Sequence, residues 1–156
     1  MYICLGLGLF SALIISLEDF RRRSIHLIVL LIFLMSGWSF QALRQSIWIP
    51  VHIYTNTAIM LVVWLSIKLF YRWKGRGRIM DHALGWGDVV MLLALGCWMD
   101  THVFLAYYAA SSFLFSLIFL LLIALKRIPH DYPIPLAGLF GLTFVISFPL
   151  ILFFHV

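Results

Sequence analysis

Long apolar runs, broken by short polar stretches, divide the chain into six segments. We read them as Tyr2 to Leu17, Ile25 to Leu43, Ile47 to Tyr71, Asp88 to Met99, Val103 to Leu125 and Pro135 to Phe154. A membrane-spanning helix needs about 20 mostly apolar residues, fewer where it runs straight or the bilayer thins. Five segments fit that length. The fourth is short, so it must begin deep in the membrane after a non-helical approach at Gly85 and Gly87, or lean on its neighbours. Irregular backbone at that depth is tolerated only where protein buries it or water reaches it. The pattern predicts an all-α protein: a polytopic bundle of six transmembrane helices, with residues 1–156 as one transmembrane domain.

The charges support that count. With six spans, Arg21, Arg22, Arg23, Lys68, Arg72, Lys74, Arg76, Arg78, Lys126 and Arg127 fall on one side. They are ten of the eleven Lys and Arg residues, and only Arg44 lies on the other side. Such a bias makes the basic side cytoplasmic and puts both termini outside. Composition agrees: the chain is 64% hydrophobic and 11% charged, with mean hydropathy +1.07. A soluble domain of 156 residues needs far more charge to clothe its surface. A net charge of +5 could suggest nucleic acid, but the cations sit in three short clusters between apolar runs. Bilayer anchoring explains them, so lipid is the expected partner and nucleic acid is not. Cys4 and Cys97 lie in apolar stretches, with no CxxC pair and no zinc spacing, so neither a disulfide nor a metal is expected. The first apolar run lacks a basic leader and reads as a retained span. Trp38, Trp48, Trp73 and Trp98 fall near span ends, where an interfacial belt would put them.

The chemistry rests on six acids: Glu18, Asp19, Asp81, Asp88, Asp100 and Asp131. Asp100 faces the outer side as a turn or cap residue. Asp81 and Asp131 read as solvated loop acids. Asp19 ends the first span and Asp88 opens the fourth, so both sit at similar depth on the cytoplasmic face. An acid near hydrocarbon is costly and has a partner or a task. Two carboxyls in a partly dry site share one proton and titrate as a unit. The charged member can then take a proton from water while the neutral one hydrogen-bonds a scissile carbonyl. Ordinary roles account equally well for the positions alone. Glu18 and Asp19 can pair with Arg21 to Arg23, and Asp88 can cap its own helix. His26, His82 and His130 read as interfacial residues without metal spacing.

The local sequences separate these readings. Leu84-Gly85-Trp86-Gly87-Asp88-Val89, running into an apolar helix with Gly96 two turns on, resembles the GxGD signature of type IV prepilin peptidases. Asp19-Phe20-Arg21-Arg22-Arg23-Ser24-Ile25 looks like that family's first motif, an Asp ending the first span followed by a basic stretch and Ile-Pro. Ile134-Pro135-Leu136-Ala137-Gly138-Leu139 is similar to the start of its last span. The motifs come in the family's order and cover nearly the whole chain.

The resemblance implies a membrane aspartic endopeptidase, without metal or cofactor, with Asp19 and Asp88 as catalytic residues. It implies that Gly85 and Gly87 let the loop take unusual dihedrals and a substrate backbone approach Asp88. The implied substrate is a pilin-like precursor, cut where its basic leader meets its apolar helix, at the cytoplasmic face of a bacterial or archaeal inner membrane. For a bridging water, the carboxyls should stand about 4–7 Å apart, which requires the first and fourth spans to be adjacent. Two departures stand out: Val90 occupies the usual Lys position, and His26 follows Ile25 where Pro is usual. The domain with CxxC pairs that methylates pilins in larger members has no counterpart here, so a minimal peptidase core is expected. Val90 also motivates the alternative of an inactive relative, a membrane scaffold for pilus or secretion-system assembly. A small proton- or ion-coupled carrier using the acid pair ranks last, because the outer side offers few polar residues for a path.

Overall fold

In the computed structural model, residues 1–45, 51–73, 86–126 and 135–155 are described. They form six helices: α1 (Tyr2–Arg22), α2 (Leu27–Gln45), α3 (Val51–Trp73), α4 (Trp86–Gly96), α5 (Thr101–Ala124) and α6 (Leu136–His155). All but α4 are long and apolar enough to cross a membrane. The protein is a multi-pass membrane protein with an all-α bundle. Outward-facing side chains such as Leu69, Phe113, Leu120 and Phe153 are apolar and exposed, as lipid contact requires.

The helix α4 is the centre of the bundle, packed against α2, α3, α5 and α6. Its 11 residues extend only about 16 Å, roughly half of a hydrocarbon core. It therefore stops inside the bundle, and its chain reverses at residues 97–100 into α5. Trp98 fills this turn with no exposed surface. Its indole stacks on Phe33, meets Phe144 and Phe148 edge-on, and donates from Nε1 to the Phe33 carbonyl at 3.1 Å. Gly8 and Gly37 leave room for it: a Cβ at Gly37 would lie 2.5 Å from the indole nitrogen, and one at Gly8 would overlap the ring. Trp98 is thus a core plug rather than part of an interfacial belt. Trp73, 84% exposed, does have a belt residue's exposure, while Trp48 lies outside the described residues.

The helix α1 runs past the expected end at Leu17, so Asp19 sits within its last turns. It ends at Arg23, whose left-handed backbone (φ 52°) lets its N–H reach the Asp19 carbonyl at 3.0 Å. Glu18 reaches the next loop. Its Oε2 accepts from the His26 backbone N–H at 3.2 Å, and its Oε1 lies 3.5 Å from His26 Nε2. His26 thus supplies an N–H that proline lacks, and Glu18 holds the turn in place of a ring.

At the opposite end of the bundle, Asp100 occupies the N-cap position of α5 but makes no side-chain cap bond. Its carboxylate accepts from Gln45 Nε2 at 3.2 Å and faces Arg44 at 3.6 Å and His52 at 3.7 Å. These contacts join the end of α2 to the starts of α3 and α5, so α2 runs toward this end while α3 and α5 both run away from it.

Candidate active site

The start of α6 organises the site. A helix begins with backbone N–H groups that have no partner within it. A Ser, Thr, Asp or Asn side chain at the N-cap usually takes one of them. Here Pro135 holds that position, its carbonyl accepting from Leu139 N–H at 3.1 Å, and it has no side-chain acceptor. Two aspartates from other helices serve instead. Asp88 Oδ1 accepts from Ala137 N–H at 2.8 Å, and Asp19 Oδ2 accepts from Gly138 N–H at 2.6 Å. Consecutive amide nitrogens in a helix are about 3 Å apart, so the two accepting oxygens lie within about 8 Å of each other. The positive end of the α6 dipole and two charge-assisted bonds favour negative charge there.

This arrangement corrects two expectations. The backbones of α1 and α4 do not approach each other; α2 and α6 pack against both. Both carboxyls reach neighbouring amides at the start of α6 from helices whose backbones stay apart, so adjacency of the first and fourth spans is not needed for that placement. Asp88 is also the third residue of α4 rather than its N-cap, and its side chain caps the start of α6.

Close packing of α6 on α1 makes this placement possible. A Cβ at Gly138 would lie 3.1 Å from Asp19 Oδ2 and 3.3 Å from the Ser16 carbonyl. One at Gly141 would lie 2.5 Å from Ser16 Oγ and 3.0 Å from the Ala12 carbonyl. Ser16 sends its own hydroxyl back to the Ala12 carbonyl at 2.8 Å, so the interface has no unmet donor there. Gly138 stands within a motif the sequence already marks; the signal for its role is its place three residues after Pro135 and next to Ala137.

Beside the carboxyls is a cleft of about 390 Å³. Asp19, Arg23, Ser24, Ile25, Leu27, Leu30, Gly87, Asp88 and Val90 line it. Asp19 is 6% exposed and Asp88 partly buried, so the cleft has a drier and a wetter acid. Gly87 lies in the first turn of α4 with no left-handed φ, so unusual dihedrals are not its contribution. Its missing side chain leaves space: a Cβ would lie 3.0 Å from Ile25 Cδ1. Gly85, Asp81, Asp131, His82 and His130 lie outside the described residues. A larger groove between α5 and α6, about 660 Å³, has no carboxylate in its lining. Among the described residues, no three His, Cys, Asp or Glu side chains are grouped to hold a metal ion.

The protein is a helical membrane protein with a pair of carboxylates at one end of its bundle. The profile of the type IV leader peptidase family matches residues 6–125, which include both aspartates. The chain belongs to that family. No curated protein and no solved structure matches it. The match ends before α6, so the two amides that bond to Asp19 and Asp88 come from beyond the matched segment.

Proposed function

We propose that the protein is a membrane aspartic endopeptidase, one transmembrane domain over residues 1–156, that removes the basic leader of type IV pilin-like precursors. Cleavage takes place at the cytoplasmic face of a bacterial or archaeal inner membrane. The observation that carries this reading is the pair of bonds from adjacent α6 amides to Asp19 and Asp88.

Those bonds engage one oxygen of each carboxyl. In the proposed reaction the other oxygens handle water and the scissile carbonyl. The pair holds one proton between its members. The ionised carboxylate takes a proton from water as the oxygen attacks the peptide carbon. The protonated carboxyl hydrogen-bonds the carbonyl oxygen and stabilises its developing charge. Collapse of the tetrahedral species returns a proton to the leaving amine and breaks the C–N bond. The two α6 amides fix the carboxyls before substrate arrives, so little reorganisation is needed during the reaction. Ile25, Leu27, Leu30 and Val90 offer the cleft an apolar wall suited to a segment entering the bilayer. The basic residues Arg21, Arg22, Arg23, Lys68, Arg72 and Lys126 come from helix ends on the Asp19 and Asp88 side, in keeping with a cytoplasmic location.

A second reading rests on Val90, which lines the cleft where the family usually carries Lys. Under it the protein is an inactive scaffold for pilus or secretion assembly. Reconstituted protein and a pilin-like precursor separate the two. Asp19→Asn and Asp88→Asn should each abolish leader removal while the protein stays folded in membranes. Normal cleavage by either variant removes that residue from the mechanism. Unchanged processing on deleting the gene, with assembly restored by the double Asn variant, establishes the scaffold.

A further inference from the structure

Asp88 opens α4, and the other end of α4 is tied down by two buried amides. Asn56 on α3 donates from Nδ2 to the Gly96 carbonyl at 2.8 Å and the Met99 carbonyl at 2.9 Å. Gln41 on α2 donates from Nε2 to the Trp98 carbonyl at 2.7 Å. Neither side chain has any exposed surface. The last carbonyls of a helix have no partner within it, and a helix that stops inside a membrane bundle cannot give them to bulk water. Asn56 and Gln41 provide donors at that blind end.

Stability alone does not explain this choice. Asn56 Oδ1 and Gln41 Oε1 are themselves buried without a hydrogen-bond partner among the described residues. An amide that satisfies others while its own oxygen goes unmet is a poor means of stabilising a core. What it supplies is direction. Three short bonds from two different helices fix both the depth and the rotation of Gly96 to Met99. An α-helix of 11 residues is stiff, so fixing its C-terminus fixes the residue that opens it. A slide or twist of α4 would carry Asp88 Oδ1 away from the Ala137 amide, while Asp19, on another helix, would stay.

We propose that Asn56 and Gln41 are positioning residues for Asp88: they anchor the far end of a half-length helix and so hold one carboxyl in register with the other. The proposal deepens the peptidase reading and rests on it.

The test uses the full chain in lipid vesicles, with two readouts. Kinetics on a pilin-like precursor give kcat and KM. Spin labels at Ser24 and Val90, which face the same cleft from the α1–α2 loop and from α4, report the register of α4 without any need for activity. Asn56→Leu should lower kcat about 30- to 100-fold with KM within about 2-fold, the size expected for a displacement near 1 Å. It should also shift or broaden the label distance. Asn56→Gln, which keeps the donor, should recover most of both. An unchanged kcat and distance in Asn56→Leu overturns the proposal. So does a loss of activity with the distance unmoved. Should Asn56→Leu fail to fold, Gln41→Leu, which removes one bond instead of two, replaces it under the same two criteria. If the wild-type chain removes no leader, the peptidase reading fails, and the label distance alone decides whether the amides set the register of α4.

Discussion

The two ends of α4 are built to opposite rules. At one end Asp88 is partly buried beside an open cleft, and its carboxylate bonds to another helix. At the other end Trp98 is sealed between Phe33, Phe40, Phe144 and Phe148, with glycines cut away to admit it. One end leaves space beside its carboxylate; the other is filled by an aromatic side chain. On the proposed reading, chemistry falls where packing is incomplete and the closed end holds the open one steady. Substitutions at the two ends should therefore separate activity from stability.

The largest effect is expected at the open end. Asp19→Asn and Asp88→Asn each keep the shape of the side chain and an oxygen for the α6 amide, but remove the titrating group. Leader cleavage should fall by at least about 10³-fold, the range for loss of a general acid–base group. Stability should change by about 1 kcal/mol or less, the scale of one hydrogen bond. Initial rates and thermal unfolding of the same preparations measure both. A variant that unfolds instead would make the aspartates structural caps.

Trp98→Ala tests the closed end. It empties the space between four phenylalanines and removes the bond to the Phe33 carbonyl. A stability loss of about 3–5 kcal/mol is expected for a buried Trp cut to Ala. Denaturation in mixed micelles would show it as a lowered midpoint. A cost below about 1 kcal/mol would mean that the glycines at 8 and 37 do not frame a tight site.

Much of this contrast was legible in the sequence, for a physical reason. In a bilayer, apolar length and cation placement are imposed by the solvent, so five long helices and a short fourth follow directly from the runs and charges. Asp19 and Asp88 stand out because acids are rare in such a chain. What holds them was hidden. It consists of backbone N–H groups, which every helix start possesses, so no residue type announces it. The Trp98 plug was misplaced for a related reason: a Trp near a span end reads as interfacial unless one knows that α4 stops midway. Asn56 and Gln41 had a usable signal, as uncharged amides within apolar helices, but their partners are carbonyls distant in sequence.

Gly138→Ala moves the comparison into the junction between α1 and α6. The added Cβ would stand 3.1 Å from Asp19 Oδ2 and 3.3 Å from a backbone carbonyl that cannot rotate away. The α6 start must retreat by a few tenths of an ångström, lengthening the bond to Asp19. About a 10-fold loss of kcat is expected, well short of the Asp→Asn effect, because the titrating groups remain. Gly141→Ala serves as the contrast. Its Cβ would meet Ser16 Oγ at 2.5 Å and the Ala12 carbonyl at 3.0 Å, deeper in the same interface. It should cost about 1–3 kcal/mol of stability through overpacking. Equal kcat losses with equal stability losses in the two variants would show that the junction is merely tight and that Gly138 has no particular relation to Asp19.

The smallest effect should come from Asp100, an aspartate at the other end of the bundle. Its side chain is 28% exposed, and it faces Arg44 at 3.6 Å and His52 at 3.7 Å. An ion pair with that much exposure is worth about 0–1 kcal/mol. Asn is as favourable as Asp at an N-cap position, and it keeps an oxygen for Gln45 Nε2. Asp100→Asn should therefore lower stability by less than about 1 kcal/mol and leave leader cleavage at the wild-type rate. The comparison with Asp19 and Asp88 is controlled, since the same carboxyl-to-amide change is made at each. If Asp100→Asn abolished cleavage, the charge at both ends of the bundle would matter, and the pairing at the α6 start would lose its claim to be the site. If it is silent, what distinguishes Asp19 and Asp88 is their placement against two neighbouring amides and not the presence of a carboxylate within a membrane helix bundle.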